Sequence, residues 1–391
     1  MVAVAVASVA LPHHHLLAQR PRVAIDLELD SRHADHRGTL ASAAEDAVAR
    51  YTEWLGPPPF DRVVIADRSV NGARAARTAT IAVDIPWQPW SRDIEAPIAR
   101  DVAVAWSPGL QPDGPVARGL ASYLQSRIVE RLFNIRAGVL AYRSEQLPLF
   151  GGFVHWPLPA LRLSRATAGL DRETFLQNPG EASPAIRVAL AFGTLERWLG
   201  WPVLQGALRA LSQDAQHRAL SDGDAVRVLS GAAGLDLAWL FDQAFDPGKR
   251  FDYSLDSVTV TSSTGTCAAP SCLVTAVVVT RTGNAVFSGT SRQPDDDFQA
   301  GHGLEVRVGF ENGQAATARW DGRAARHELR FESPTRPQRV WLDPDRVLLL
   351  DTNLLDSTRA TSPGTNVPLG KWIARWLVWL QDAALAYTAI I

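Results

Sequence analysis

The sequence predicts an α+β fold with its strands and helices segregated along the chain, on three observations. Short β-branched runs flank a single helical pattern in roughly the first 92 residues. Helical periodicity then continues to about residue 250, and period-two alternation takes over after Phe251. A chain of 391 residues is too long for one small core and fits two or three packed units. The expected division is a strand at 1–20, a first unit at 21–250 whose αβ part reaches about residue 92, a small antiparallel β-sandwich at 251–356, and a linker with a C-terminal amphipathic helix at 357–391.

The alternating valine and alanine of residues 2–12 suit a buried strand, as does Val23 to Leu29. Leu40, Ala44, Val48, Tyr51 and Leu55 recur at helical spacing, and Gly56-Pro57-Pro58-Pro59 stops that helix. Arg62 to Ala66 and Ala79 to Val83 read as further strands. Pro97 sits in the first turn of a helix running to Trp106, where its missing N–H does no harm, and Pro108-Gly109 ends it. A second helix begins near Pro115 and places Val116, Leu120, Tyr123, Leu124 and Ile128 on one face. Helices follow at 186–199, 202–212, 222–230 and 235–245. The β unit shows alternation at Val258 and Val260, at Leu304 to Phe310 and at Leu329 and Phe331, with Asn312-Gly313 and Asp321-Gly322 as turn dipeptides. A linker from Ser357 to Pro368 precedes the last helix, whose Trp372, Ile373, Trp376, Leu377 and Leu380 form an apolar stripe. That stripe either docks on the body of the protein or lies weakly on a membrane surface.

Composition excludes some classes. A net charge of -2 and a pI near 6.5 provide no basic surface of the kind nucleic acid requires. No apolar run reaches the length of a membrane span. The apolar N-terminus lacks the basic residues that open a secretory signal. Cys267 and Cys272 enclose Ala-Ala-Pro-Ser and are either a short-loop disulfide or two thiols; with no histidine nearby they are not a zinc site.

The chemistry is sought in the two helices between Asp93 and Asn134. Ile98-Ala99-Arg100-Asp101-Val102-Ala103-Val104-Ala105-Trp106 and Ala117-Arg118-Gly119-Leu120-Ala121-Ser122-Tyr123 resemble the paired motifs H-E-x-x-H and E-G-x-A-x-Y of the aminopeptidase N-like (gluzincin) zinc metallopeptidases. Three further segments resemble the same family: Leu55 to Arg62, Ala238 to Tyr253, and Trp341 to Asp351. The resemblance implies a thermolysin-like peptidase unit of mixed sheet and helices before the β-sandwich. It also implies that residues 1–20 are the remnant of a missing N-terminal β domain and, since relatives are often exported, a place in the cell envelope.

In that family two histidines and a glutamate hold zinc while a second glutamate acts as general base. Carried over residue by residue, Arg100 and Val104 take the histidine places, Arg118 takes the glutamate ligand's place, and Asp101 stands at the general base, one methylene short. The interval from Arg100 to Arg118 is shorter than the family's. Ala185 falls at the position of the transition-state tyrosine, and the amine-binding glutamate expected between Asn71 and Ile81 is missing. A guanidinium about 5 Å from a divalent ion, at an effective dielectric of about 20, is repelled by roughly 7 kcal/mol. Two such groups rival the roughly 10–16 kcal/mol that an intact structural zinc site is worth.

No cofactor is therefore expected, zinc being the family's, and Asp101 is expected to pair with Arg118 or Arg100. The expected function is that of a non-catalytic homologue whose cleft binds a peptide or protein partner. The alternative is an active zinc aminopeptidase with relocated ligands drawn from His155 or His13-His14-His15. His33 and His36 are read as part of a polar loop, and His327 as a strand residue.

Overall fold

The computed structural model describes residues 23–67, 77–83, 95–133, 183–263, 272–287, 303–353, 356–361, 376 and 380. The runs at 2–12 and 68–76, His155 and Cys267 lie outside them.

Strands β1 (Ala24–Glu28), β2 (Arg62–Asp67) and β3 (Thr78–Val83) form a parallel sheet in the order β1-β2-β3. Parallel neighbours need a crossover, and helix α1 (Arg37–Leu55) supplies the one between β1 and β2. Leu40, Ala44, Tyr51 and Leu55 of the stripe the periodicity marks are buried, Val48 is half-buried, and Ala47 is buried in its stead. Gly56 ends it at φ 100°, a conformation a Cβ would strain. The polar segment ahead of α1 is a 3-10 helix, Ser31–His36, rather than a loop.

Among the described residues the helices that follow are α2 (Glu95–Trp106), α3 (Pro115–Phe133), α4 (Pro184–Leu199), α5 (Trp201–His217), α6 (Asp222–Ala233) and α7 (Ala238–Phe245). Helix α3 packs on α2 and α4, α1 packs on α2 and α5, and α7 closes against α4. The connection between α2 and α3 is pinned on both sides. Gly109 N–H donates to Ala215 O at 2.7 Å, and Leu220 N–H donates to Gly109 O at 2.8 Å. Asp222 Oδ1 accepts from Val116 N–H at 3.1 Å, satisfying one of the orphan donors at the start of α3.

Among the described residues, strands follow α7. Strands β4 (Tyr253–Ser263), β5 (Cys272–Arg281) and β8 (Arg326–Ser333) form one antiparallel sheet. Strands β6 (Leu304–Phe310), β7 (Ala315–Trp320), β9 (Pro337–Leu342) and β10 (Thr358–Ala360) form a second, in the order β10-β9-β6-β7. Leu255, Val277, Val279 and Phe331 of the first sheet and Val306, Val308, Val340 and Leu342 of the second belong to one buried hydrophobic cluster.

Two expectations change here. Asn312-Gly313 does close the β6–β7 hairpin, with Gly313 at φ 81°. Asp321-Gly322 instead carries the chain from one sheet to the other, because β7 pairs with β6 while β8 pairs with β5. The start of the expected linker is strand β10, drawn onto the open edge of β9. Of the C-terminal stripe, only Trp376 and Leu380 are described; both are helical and about half exposed, at 48% and 54%. Among the described residues no helix is long and apolar enough to cross a membrane.

Candidate functional site at the α2–α3 helix pair

Helix α2 is held by its inner face. Ile98, Val102 and Trp106 are fully buried, and Tyr51 O–H donates to Ala99 O at 3.0 Å. The Trp106 ring meets Tyr51 and Phe60 edge-on at centroid distances of 5.8 and 5.3 Å. Such pairs add about 0.5–1.5 kcal/mol each beyond burial. With that face fixed, helical geometry turns Arg100, Asp101 and Val104 outward. Val104 is 45% exposed.

Arg100 Nε donates to Asp101 Oδ1 at 3.3 Å. Adjacent residues on a helix do not face one another, so the long arginine folds back to reach, and the two side chains stay 38% and 32% exposed. An ion pair this open contributes about 0–1 kcal/mol. Burial pushes the Asp101 carboxyl above its ordinary value, against the opposing pull of Arg100. Arg118 is exposed on α3 and has no ion pair among the described residues. Asp101 thus pairs with its chain neighbour, not with Arg118.

Gly119 fixes where α3 crosses α4. A Cβ there would sit 2.6 Å from Val188 Cγ1 and 2.7 Å from Ala185 O. The chain segment carrying Arg118 therefore lies directly on Ala185, and α2 packs on the same α3. All five positions taken from the resemblance are carried by this three-helix layer. Gly119→Ala is expected to push α3 off α4 and lower stability by about 1–3 kcal/mol, measured by urea unfolding.

Tyr123 points the other way. Its ring stacks on Phe192 at 5.7 Å, and its hydroxyl donates to Glu196 Oε2 at 2.6 Å. Glu196 Oε1 accepts from Arg127 Nη1. The Arg127 guanidinium lies 3.3 Å from the centroid of Trp201 and 5.1 Å from that of Trp54. Sequence reasoning did not find Arg127 or Glu196. The available signal was a basic residue one turn beyond Tyr123 on an otherwise apolar face.

The positions do not fit zinc. A catalytic zinc takes three nitrogen, oxygen or sulfur donors from the protein, and of Arg100, Asp101, Val104 and Arg118 only Asp101 offers one. Among the described residues no three His, Cys, Asp or Glu side chains gather as a metal-binding group. His327 lies in β8, paired with Val279 of β5, and His36 ends the 3-10 helix. Cys272 opens β5 and is buried.

No protein-family model matches the chain, and no curated protein matches it. A solved structure that it resembles is the crystal structure of Legionella pneumophila aminopeptidase A in complex with aspartic acid, with a TM-score of 0.49 and 13% identity. The match covers 84% of this chain and 36% of that one, so the chain spans about a third of that protein's length. A likeness of this order says nothing about the chemistry of a site.

Proposed function

We propose that the chain is a non-catalytic relative of the aminopeptidase N-like zinc metallopeptidases, with a thermolysin-like peptidase unit followed by a β-sandwich. The carrying observation is the donor set on the α2–α3 pair: two guanidiniums and an isopropyl group, Arg100, Arg118 and Val104, at the three ligand positions. A burial contrast supports the same reading. Trp106, Gly119, Ala121 and Tyr123, the motif residues that match, are packed into the core or the α3–α4 crossing. Of the ones that do not match, Val104 and Arg118 are exposed and Arg100 is half-buried, so packing constrains their side-chain identity less.

Without a Lewis acid or a metal-bound water, Asp101 has no nucleophile to activate. What the α2–α3 pair retains is a surface with half-buried Arg100 and Asp101 and exposed Val104 on α2, and exposed Arg118 on α3. Such a surface suits a peptide or protein ligand bound without turnover.

Metal analysis of the purified full chain, run beside hydrolysis of aminoacyl reporter substrates, tests the proposal. The expected result is substoichiometric zinc and no hydrolysis, before or after zinc is added. Stoichiometric zinc with turnover would overturn it and direct attention to ligands outside the α2–α3 pair, His155 and His13 to His15 first.

A further inference from the structure

Strand β8 is an edge. It pairs with β5 from Arg326 to Ser333 without a register shift, and among the described residues no strand pairs with its other side. A long, unbulged edge is a template for a further strand. The opposite edge of the same sheet is blunted. There β4 is bulged between Leu255 and Ser257, and Leu255 N–H already donates to Asp356 O at 3.1 Å.

The backbone groups on the open side of β8 can be assigned. Arg281 N–H donates to Ala325 O at 2.8 Å, one step beyond the Thr280–Arg326 pair at the end of the ladder. Backbone groups along an antiparallel strand alternate between its two sides. Ala325, His327, Leu329, Phe331 and Ser333 therefore turn theirs to β5, and Arg326, Glu328, Arg330 and Glu332 turn theirs to the open side. The side chains of those four share the exposed face of the strand, while Phe331 and Ser333 are buried on the other.

The four alternate in sign, Arg-Glu-Arg-Glu, an order that is complementary to its own reverse. Paired antiparallel about Leu329, Arg326 meets Glu332 of a second copy, Glu328 meets its Arg330, and the reciprocal pairs repeat the match. Slipping the register by two residues is the smallest slip that keeps the same backbone groups facing one another. It sets Glu328 against Glu328 and Arg326 against Arg330 in one direction, and Arg330 against Arg330 and Glu328 against Glu332 in the other. Opposite charges directly across a sheet are favourable and like charges unfavourable. The charge order thus permits one register and penalises its neighbours.

We propose that the β8 edge is a homodimer interface, on which a second copy of this chain adds its own β8 antiparallel about Leu329 and joins the two β4-β5-β8 sheets into one. The contact is isologous, as a two-fold dimer requires. Each of the four open residues exchanges both of its backbone hydrogen bonds with the residue opposite. Bonds within the chain leave the charges available. Arg330 meets Glu328 at 2.8 Å and Arg326 meets Asp256 at 2.7 Å, all four groups in contact with solvent. Glu332 is exposed, has no ion pair among the described residues and gains one in the dimer. One strand edge is a small interface, so the equilibrium is a reversible one between monomer and dimer.

Sedimentation velocity of the full chain at low salt, over a series of concentrations, tests this, and reversible dimerisation is the expected result. Arg330→Glu sets Glu328 of each copy opposite a second carboxylate, and Glu328→Arg sets Arg330 of each copy opposite a second guanidinium. Each substitution alone is expected to weaken self-association by about tenfold or more, because two cross-strand pairs turn from attraction to repulsion. An equimolar mixture of the two variants restores opposite charges at both places and is expected to dimerise about as tightly as the wild-type chain. A wild-type chain that stays monomeric at every concentration, a dimer indifferent to either reversal, or a mixture that stays monomeric would overturn the proposal. Circular dichroism checks that each variant is folded. If either single variant is not, the double variant Glu328→Arg with Arg330→Glu takes its place. It keeps the self-complementary order, so it is expected to dimerise with itself and not with the wild-type chain, and free exchange of subunits between the two would equally overturn the proposal.

Discussion

Glu196→Ala is expected to lower the stability of the fold by about 3 kcal/mol, the lower end of what removing one partner of a buried ion pair costs. The arginine it serves is 6% exposed and held between Trp54 and Trp201, whereas Glu196 itself is 26% exposed. Loss of the carboxylate takes away the charge facing Arg127 and the acceptor of the Tyr123 hydroxyl together. Four helices meet at this point: α1 through Trp54, α3 through Tyr123 and Arg127, α4 through Glu196 and α5 through Trp201. The loss is therefore expected to be global and cooperative. Arg127→Met combined with Glu196→Gln restores shape without charge and should recover most of the loss, since apolar replacements of buried pairs are often neutral. Urea unfolding of the two single variants and the double variant isolates the coupling between them. Additive effects would mean that the pair does not act as a unit.

That pair marks the boundary of what the sequence makes legible. Helix α1 announces itself because its apolar residues recur at one face and Gly56 ends it, both local facts. The β6–β7 hairpin is local too, set by period-two alternation around Asn312-Gly313. Helices α2 and α3 were readable because Pro97, Pro108-Gly109 and Pro115 mark their ends locally. Polar residues with partners far along the chain give no such signal. Arg127 and Glu196 are 69 residues apart, and on sequence alone each reads as a solvated charge. Strand β10 was hidden for the same reason: Thr-Arg-Ala within a Ser/Thr-rich stretch becomes a strand only because β9 offers an edge. Burial of polar groups is a tertiary property.

Arg187→Leu should be comparably damaging, at an expected loss on the order of 4 kcal/mol from hydrogen bonds to a charged donor that are not fully additive. Arg187 is 2% exposed, and its guanidinium donates to Ala244 O at 2.9 Å, Gln243 O at 2.8 Å and Lys249 O at 2.6 Å. The first two are among the last carbonyls of α7, which the helix itself cannot satisfy, and the negative end of the helix dipole favours a cation there. Burial pulls the guanidinium below its ordinary range while Asp246 pulls it back. Leucine fills part of the space but leaves those carbonyls without this donor, so α7 should detach from α4 before the β sheets unfold. Amide exchange across Ala238–Phe245 reports that detachment directly. Arg187→Lys discriminates between charge and geometry. An ammonium keeps the charge but cannot span three acceptors from one planar group, so it should recover only a minor part of the stability. Full recovery by lysine would mean that charge at the end of α7, and not the fork of hydrogen bonds, holds this corner of the fold.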